Sequence, residues 1–444
     1  MGISFTGSFK RLDRLKAGAA RAVLAGIFGN GFGGNITTSG IVNSYAHLTS
    51  GAASGDDTLL VNSTAGFNSG DKVLIHQTQH INTNIAGTYE FSEIESVSSG
   101  QIKLKTILES SYFSDPGTAE SGNQSSTMTQ VVGTKQYSNF TANGLVEAKQ
   151  WDGFSGGILY IVTSDTLTCN GNWLSVWAKG FRGGRGENNF QSNNQGYAGE
   201  SIRGFFDTHS TANDTGGAGA RGNQNTGGDS GGSAGYATQG RPGDNANIVG
   251  NVPGGGVIGS NTLDRIFFGG GAGRGGDNDD RDFDTFLHPA SGAEMKNNPQ
   301  DFNNVFGSYT TSLNIPWGAT RHETTPDFSH GGGIAIIHAK NTSDLKVISE
   351  PMTGIGGDSS GEKSGSGAAG SIFISTNTGS TVESVFARGT TYAELNNDFA
   401  SGGSAGRIRV DIFGGDTLNG SGNILVTGRN GLGDGTIVTN SNLS

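Results

Sequence analysis

The chain has 444 residues, a formal charge of −11, 15% charged and 33% apolar residues, 78 glycines and a single cysteine. An acidic, weakly charged chain carries no footprint for nucleic acid. One cysteine excludes an internal disulfide, and the absence of an 18-residue apolar run excludes a transmembrane helix. Glycine at about 18%, against about 7% in average proteins, points away from one large conventional core and toward thin β-layers.

Residues 1–34 read as an attachment helix followed by a glycine-rich break. Phe9, Leu12, Leu15, Ala19, Val23 and Ile27 recur at three- and four-residue steps, Ser8 stands at the start and Gly29 at the stop. The helix packs either on its own domain or on another protein or a second copy, which would make the chain a homo-oligomer. Lys10, Arg11, Arg14 and Lys16 before Ala17–Phe28 resemble a secretory leader, but Arg21 interrupts the apolar stretch.

Residues 35–135 read as a small antiparallel β-barrel. Thr58–Val61, Lys72–Gln77, Tyr89–Val97 and Ile102–Leu104 carry strand patterns separated by glycine turns. Residues 114–135 read as a linker or an irregular strand.

A repeat begins near Phe140. Gly156-Gly157-Ile-Leu-Tyr-Ile, Gly332-Gly333-Ile-Ala-Ile-Ile, Ala369-Gly370-Ser-Ile-Phe-Ile and Ala405-Gly406-Arg-Ile-Arg-Val resemble one another. Gly333, Gly370 and Gly406 are 37 and 36 residues apart. Such a period means stacked units that bury their apolar faces against neighbours, and the β-branched residues make those units strands. Residues 136–182 form the first unit and 329–444 three more. Ile334, Ile336, Ile372, Ile374, Ile408 and Val410 are expected in equivalent, mutually stacked strands.

Between them lies an insertion, residues 183–328. From Gly183 to Gly276, 28 of 94 residues are glycine, without a strict period of three. Scattered aromatics and runs such as Gly269-Gly-Gly-Ala-Gly273 suit polyglycine-II helices. These pack side by side through backbone hydrogen bonds because no Cβ holds them apart. The fold class expected is therefore all-β: a barrel, then a stacked β-helix- or sandwich-like repeat carrying a polyglycine-II-like insertion, with one N-terminal helix.

Trp151-Asp-Gly153, Gly156-Gly-Ile-Leu159, Leu167-Thr-Cys-Asn-Gly171 and Ala178-Lys-Gly-Phe-Arg-Gly-Gly184 resemble a glycine-rich β-module of phage and bacterial surface proteins. The insertion is similar, more loosely, to the tip adhesins of T-even-like phage tail fibres. The resemblance implies a slab of polyglycine helices whose loops at one end contact a host receptor. It supplies no catalytic residues.

Chemistry-bearing motifs are sparse. Gly228-Asp-Ser-Gly-Gly232 matches a serine-protease string, but His47 and Asp57 are badly spaced for its partners. Gly356–Ser364 misses a phosphate loop because Glu362 interrupts Gly-Lys-Ser. His76 and His80 lack a third metal ligand. Asp277, Asp279, Asp280, Asp282 and Asp284 make calcium the one ion with a set of donors, without EF-hand order; otherwise no cofactor is expected. A polysaccharide depolymerase needs two facing carboxylates, for which Glu383 and Asp411 are the main acids on the rungs.

The expectation is a non-enzymatic virion appendage, a tail fibre, tip adhesin or capsid fibre, made in the host cytoplasm and displayed on the particle surface. A bacterial surface adhesin and a depolymerase are the alternatives. The expected partners are other virion proteins at the N-terminus and a host glycan or protein, with neither nucleic acid nor membrane. Phe205, Phe206 and Tyr236 are the expected receptor contacts, with Asp279 and Asp282 as polar partners; the alternative is that these rings anchor the glycine helices to the stack.

Overall fold

The computed structural model describes residues 26–116, 126–184, 198–204, 214–218, 232–240, 243, 252–273, 330–351, 365–389, 403–415, 418, 423–426 and 434–443. The described residues form two β-sheet systems and a block of extended glycine-rich segments. Strand β1 (Ile36–Ile41) belongs to the second system.

The first system comprises β2 (Ser44–His47), β3 (Thr58–Leu60), β4 (Lys72–Gln79), β5 (Tyr89–Ser98), β6 (Gln101–Leu104) and β7 (Met128–Thr134). They pair antiparallel in the order β2-β7-β4-β5-β6-β3. The Leu48–Val61 bridge and the Asn62 N–H donating to His47 O (3.1 Å) join the two ends, so the sheet closes into the expected barrel. Leu59, Val73, Ile75, Ile94, Ile102 and Val131 fill it.

Residues 128–134, which read as part of a linker or an irregular strand, are the strand β7, between β2 and β4. Met-Thr-Gln-Val-Val-Gly-Thr lacks a clear alternation because both of its faces are buried. Strand β4 does the same: Val73 and Ile75 point into the barrel, while Leu74 and His76 point out against the second system.

The second system is parallel throughout. One layer carries β10 (Ile158–Thr168), β12 (Ile334–Ser343), β14 (Ser371–Asn377), β16 (Arg407–Phe413) and β18 (Thr436–Leu443). The other carries β1, β9 (Phe140–Glu147), β11 (Leu174–Ser175), β13 (Leu345–Ile348), β15 (Val382–Phe386) and β17 (Asn423–Leu425), and β8 (Gln136–Tyr137) adds to β10. Each unit contributes one strand to each layer, which is the stacked repeat the spacing predicts. Strand β18, preceded by Gly435, is a fifth first-layer strand that the sequence reading did not separate.

Ile334, Ile336, Ile372, Ile374, Ile408 and Val410 lie in mutually stacked strands, as expected, and the register adds which face each one takes. Gly333, Gly370 and Gly406 do mark equivalent places, so Ile334 pairs with Ser371 and Ile336 with Phe373. Ile372 pairs with Ala335 and Ile408, and Ile374 with Ile337 and Val410. Ile334 and Ile336 therefore face the barrel side, while Ile372, Ile374, Ile408 and Val410 face the core between the layers. In a strand, one position changes the face, so the isoleucines one residue after Gly333 and two residues after Gly370 point to opposite sides. Both faces of this layer are apolar, which hid the phase.

The barrel joins the stack through the outward face of the first layer. Ile158, Tyr160, Ile334, Ile336 and Phe373 pack with Leu74, Tyr89 and Val132 of the barrel. Each such fully buried aliphatic or aromatic side chain contributes about 1.5–3 kcal/mol. Asn43 seals the edge of β10: its Nδ2 donates to Tyr160 O (2.7 Å) and its Oδ1 accepts from Tyr160 N (3.1 Å). An exposed strand edge there would invite pairing with another chain.

The glycine-rich segments form a lattice. Segment 268–273 is bonded to six neighbours, through Gly332, Glu200, Gly232, Ala368, Gly217 and Gly184, at 2.7–3.1 Å. Bonding in all directions around one extended chain is the polyglycine-II arrangement expected of the insertion, and it satisfies the backbone without a hydrophobic core. Space, not backbone conformation, demands glycine here. A Cβ on Gly217 would lie 1.8 Å from Gly232 O, and one on Gly271 1.8 Å from Arg182 O, with neither φ in the left-handed region.

Candidate functional site

The direction of the lattice segments decides what can meet a partner. Segments 330–333, 365–370 and 403–406 run into β12, β14 and β16, and residues 176–184, 349–351 and 387–389 run away from β11, β13 and β15. The lattice therefore has an inner end against the strands and an outer end beyond them. Gly184 bonds Ala272, Gly273 bonds Gly232 and Gly365 bonds Gly273, so these residues share the outer end. There the chain leaves the described residues after Gly184, Ala218 and Gly273, and returns at Gly232 and Gly365.

One departure lies elsewhere. After Gly204 the chain leaves at the inner end, beside the barrel, and returns at Asp214. Ser126 N donates to Arg203 O (2.8 Å), His80 N to Ile202 O (2.8 Å), and Arg203 Nε lies 2.6 Å from Asp214 Oδ2. Phe205 and Phe206 lie in that segment and Asp279 and Asp282 in the one leaving Gly273, all outside the described residues. The two parts of the expected contact set thus depart from opposite ends of the lattice.

Tyr236 is described, and its expected role as a receptor contact is corrected. It is fully buried. Its hydroxyl is 2.7 Å from Ser371 Oγ, its ring lies 6.1 Å from that of Phe267, and the Arg407 guanidinium sits 4.7 Å above it. It is the anchor of a lattice segment on the first layer, the alternative the sequence left open. The run Ile266-Phe-Phe268 does the same next to it, with Phe268 against Trp151 and Phe181.

Of the attachment-helix residues, Phe9, Leu12, Leu15 and Val23 lie outside the described residues. Ile27 is buried within the chain, and its neighbour Phe28 meets Phe413 edge-to-face at 5.8 Å. The end of that segment therefore belongs to the fold, so Ile27 is not a free docking residue.

Charged side chains fasten the lattice to the two sheet systems. Glu200 is buried and accepts from Arg182 N (3.0 Å), Arg182 Nε (3.0 Å), Trp151 Nε1 (3.1 Å) and Gln79 Nε2 (2.8 Å). Burial pushes its carboxyl up, but the Arg182 charge and these hydrogen bonds outweigh it and hold the group below the usual range. Glu350, at the base of the departure after Pro351, pairs with Arg388, at the base of the departure after Gly389. The sequence gives little sign of Glu200: it is one acid in a polar run, and its partners lie 18, 49 and 121 residues away.

The carboxylates considered for glycan cleavage do not converge. Asp411 is buried beneath the barrel side of the first layer, held by Arg409 at 2.9 Å and Asn440 at 2.7 Å. Glu383 is half-exposed on the outward face of the other layer, 2.7 Å from Lys346. His76 and His80 do not converge either: His76 is bound by Thr78 and Ile266, and His80 stacks on Phe113. Among the described residues there is no cluster of three metal-binding side chains. The acidic run Asp277–Asp284 lies outside them.

No family model and no curated protein matches the sequence. Among solved structures, two phage proteins align. The gp54 tailspike of Acinetobacter baumannii bacteriophage AP22, solved with A. baumannii capsular saccharide, is 13% identical over 32% of this chain and 27% of its own, with a TM-score of 0.16. The tailspike gp49 of Pseudomonas phage LKA1 is 16% identical over 32% of this chain and 24% of its own, with a TM-score of 0.17. The alignment spans about a quarter of each of those proteins, and similarity at that level carries no argument about this one.

Proposed function

We propose that the chain is a non-enzymatic appendage protein of a virion, which meets the host surface through the segments leaving the outer end of the glycine lattice. The observation that carries this reading is the common end from which those segments depart. A lattice held by backbone hydrogen bonds is rigid, and at its closest approaches, such as Gly217 and Gly271, it has no room for a Cβ. Variation is then confined to what projects from it, and rigid scaffolds bearing variable loops are the usual architecture of recognition. The partner on this reading is a host glycan or surface protein, and the segment before Phe28 joins the chain to other virion proteins or to further copies.

The test has two parts. Antibody labelling of purified particles should place the protein at an exposed appendage, and the purified chain should bind host cells and compete with particle adsorption. Host-envelope polysaccharide incubated with the chain should keep its length. Detection only in the bacterial envelope would overturn the virion assignment, and shortened polysaccharide would overturn the non-enzymatic one.

A further inference from the structure

The seam between barrel and stack holds a histidine that packing does not explain. His338, on β12, continues the row Ile334–Ile336 toward the barrel. It is 2% exposed, and neither ring nitrogen has a hydrogen-bond partner. Three rings enclose it: Phe91 of the barrel at 5.0 Å, Tyr160 at 5.7 Å and Phe373 at 5.4 Å, all nearly perpendicular to it. A phenylalanine or leucine would fill this cage without leaving two buried polar atoms unsatisfied.

Charges around it oppose a proton. The positive charges acting on it are Lys72 of β4 and Arg409 of β16. The acids of the seam are engaged elsewhere. Asp411 is bound to Arg409 and Asn440, Glu93 to Lys72, and Asp264 acts on Arg409 and Tyr89. Its hydroxyl-bearing neighbours are Tyr160 and, in register on β14, Ser375. His76, the other buried histidine of the seam, differs in geometry: its nitrogens lie 2.9 Å from Thr78 Oγ1 and 2.9 Å from Ile266 O, although burial still holds its pKa down to about 4.

We propose that His338 makes the barrel–stack seam an acid-sensitive joint, which opens when this side chain takes up a proton. The closed seam has no place for the imidazolium, and the open seam hydrates it. Burial, reinforced by Lys72 and Arg409, holds the closed-state pKa down to about 3. Opening therefore binds a proton at any pH between that value and the free-histidine value of about 6.5. The joint is tight above pH ~6.5 and loosens progressively as pH falls below it. This inference is independent of what the outer end binds.

Amide hydrogen exchange on the full chain, followed by mass spectrometry from pH 8 to pH 4, tests it. After correction for intrinsic rates, peptides over residues 89–94 and 334–340 should open at least about thirty-fold more at pH 5 than at pH 8. The His338→Phe variant should lose about thirty-fold of that dependence, and His76→Gln should retain this His338 share. An unchanged pH response in His338→Phe, or its loss in His76→Gln alone, would overturn the proposal. If His338→Phe does not fold, exchange at the imidazole C2 position of the wild-type chain decides. His338 titrating near 6.5 in the closed protein overturns the joint, and His338 remaining neutral and protected until the seam opens supports it.

Discussion

Arg182 and Glu200 face each other across two antiparallel lattice segments, Nε 3.0 Å from Oε2, and no water reaches the carboxylate. The same carboxylate holds Trp151 of the stack and Gln79 of the barrel. One side chain thereby joins all three parts of the molecule. Glu200→Gln keeps the shape but leaves Arg182 without its countercharge in a nearly dry site. Breaking a buried pair from one side costs about 3–5 kcal/mol, and a fall in denaturation midpoint of that size is expected. The pH dependence has a definite sign. The folded carboxyl is held below its unfolded value, so its stabilisation is complete above pH ~4.5 and is lost as pH falls through the folded value. Wild type should lose stability over that acid range, and Glu200→Gln should lose less.

Crowding in the lattice distinguishes glycines that look alike in sequence. A Cβ on Gly271 would lie 1.8 Å from Arg182 O, whereas one on Gly256 would find its nearest atom, Asp214 O, at 3.3 Å. Gly271→Ala should therefore destabilise by about 3 kcal/mol or more, since overpacking against rigid backbone has no cheap relaxation. Gly256→Ala should change stability by no more than about 1 kcal/mol. Equal effects in thermal unfolding would mean that composition, and not close approach, explains the glycines.

Much of this architecture is legible in the sequence for physical reasons that also mark its limits. Gly333, Gly370 and Gly406 reveal the repeat because each must pass close to a neighbouring carbonyl, a local demand that recurs with every unit. The barrel strands show through their turns. What is buried on both faces is harder to see: β7 reads as a linker or an irregular strand, and nothing in the pattern tells which face the isoleucines of β12 and β14 take. Buried partners far apart in the chain leave no local trace. Tyr236 in a glycine-rich run looks like an exposed ring, and only the fold brings Ser371 and Arg407 to it. The same holds for Glu200 and His338.

Tyr236 now supports a prediction about stability instead of adsorption. Tyr236→Phe removes the hydroxyl that meets Ser371 at 2.7 Å and should cost about 1 kcal/mol. Tyr236→Ala should cost about 3–5 kcal/mol, as for other fully buried rings. At a temperature where both variants remain folded by circular dichroism, binding to host cells should equal that of wild type. Reduced binding by folded Tyr236→Phe would restore the ring to the contact surface.

The two ends of the lattice give the sharpest test of where recognition lies. At the outer end the chain departs after Ala218 and returns at Gly232, whose N–H donates to Ala218 O (2.9 Å). That bond closes the base of segment 219–231, so its replacement by a glycine–serine linker of equal length leaves the lattice intact. At the inner end, Arg203 and Asp214 close the base of segment 205–213 in the same way, through their ion pair. Replacing 219–231 should weaken attachment to host cells at least tenfold with an unchanged unfolding temperature. Replacing 205–213, and with it Phe205 and Phe206, should leave attachment within about twofold of wild type. Such a pattern follows if recognition is gathered at the outer end, where Gly184, Ala218, Gly232, Gly273 and Gly365 lie together. The reverse pattern would move the contact surface to the barrel side, and the lattice would then be a spacer.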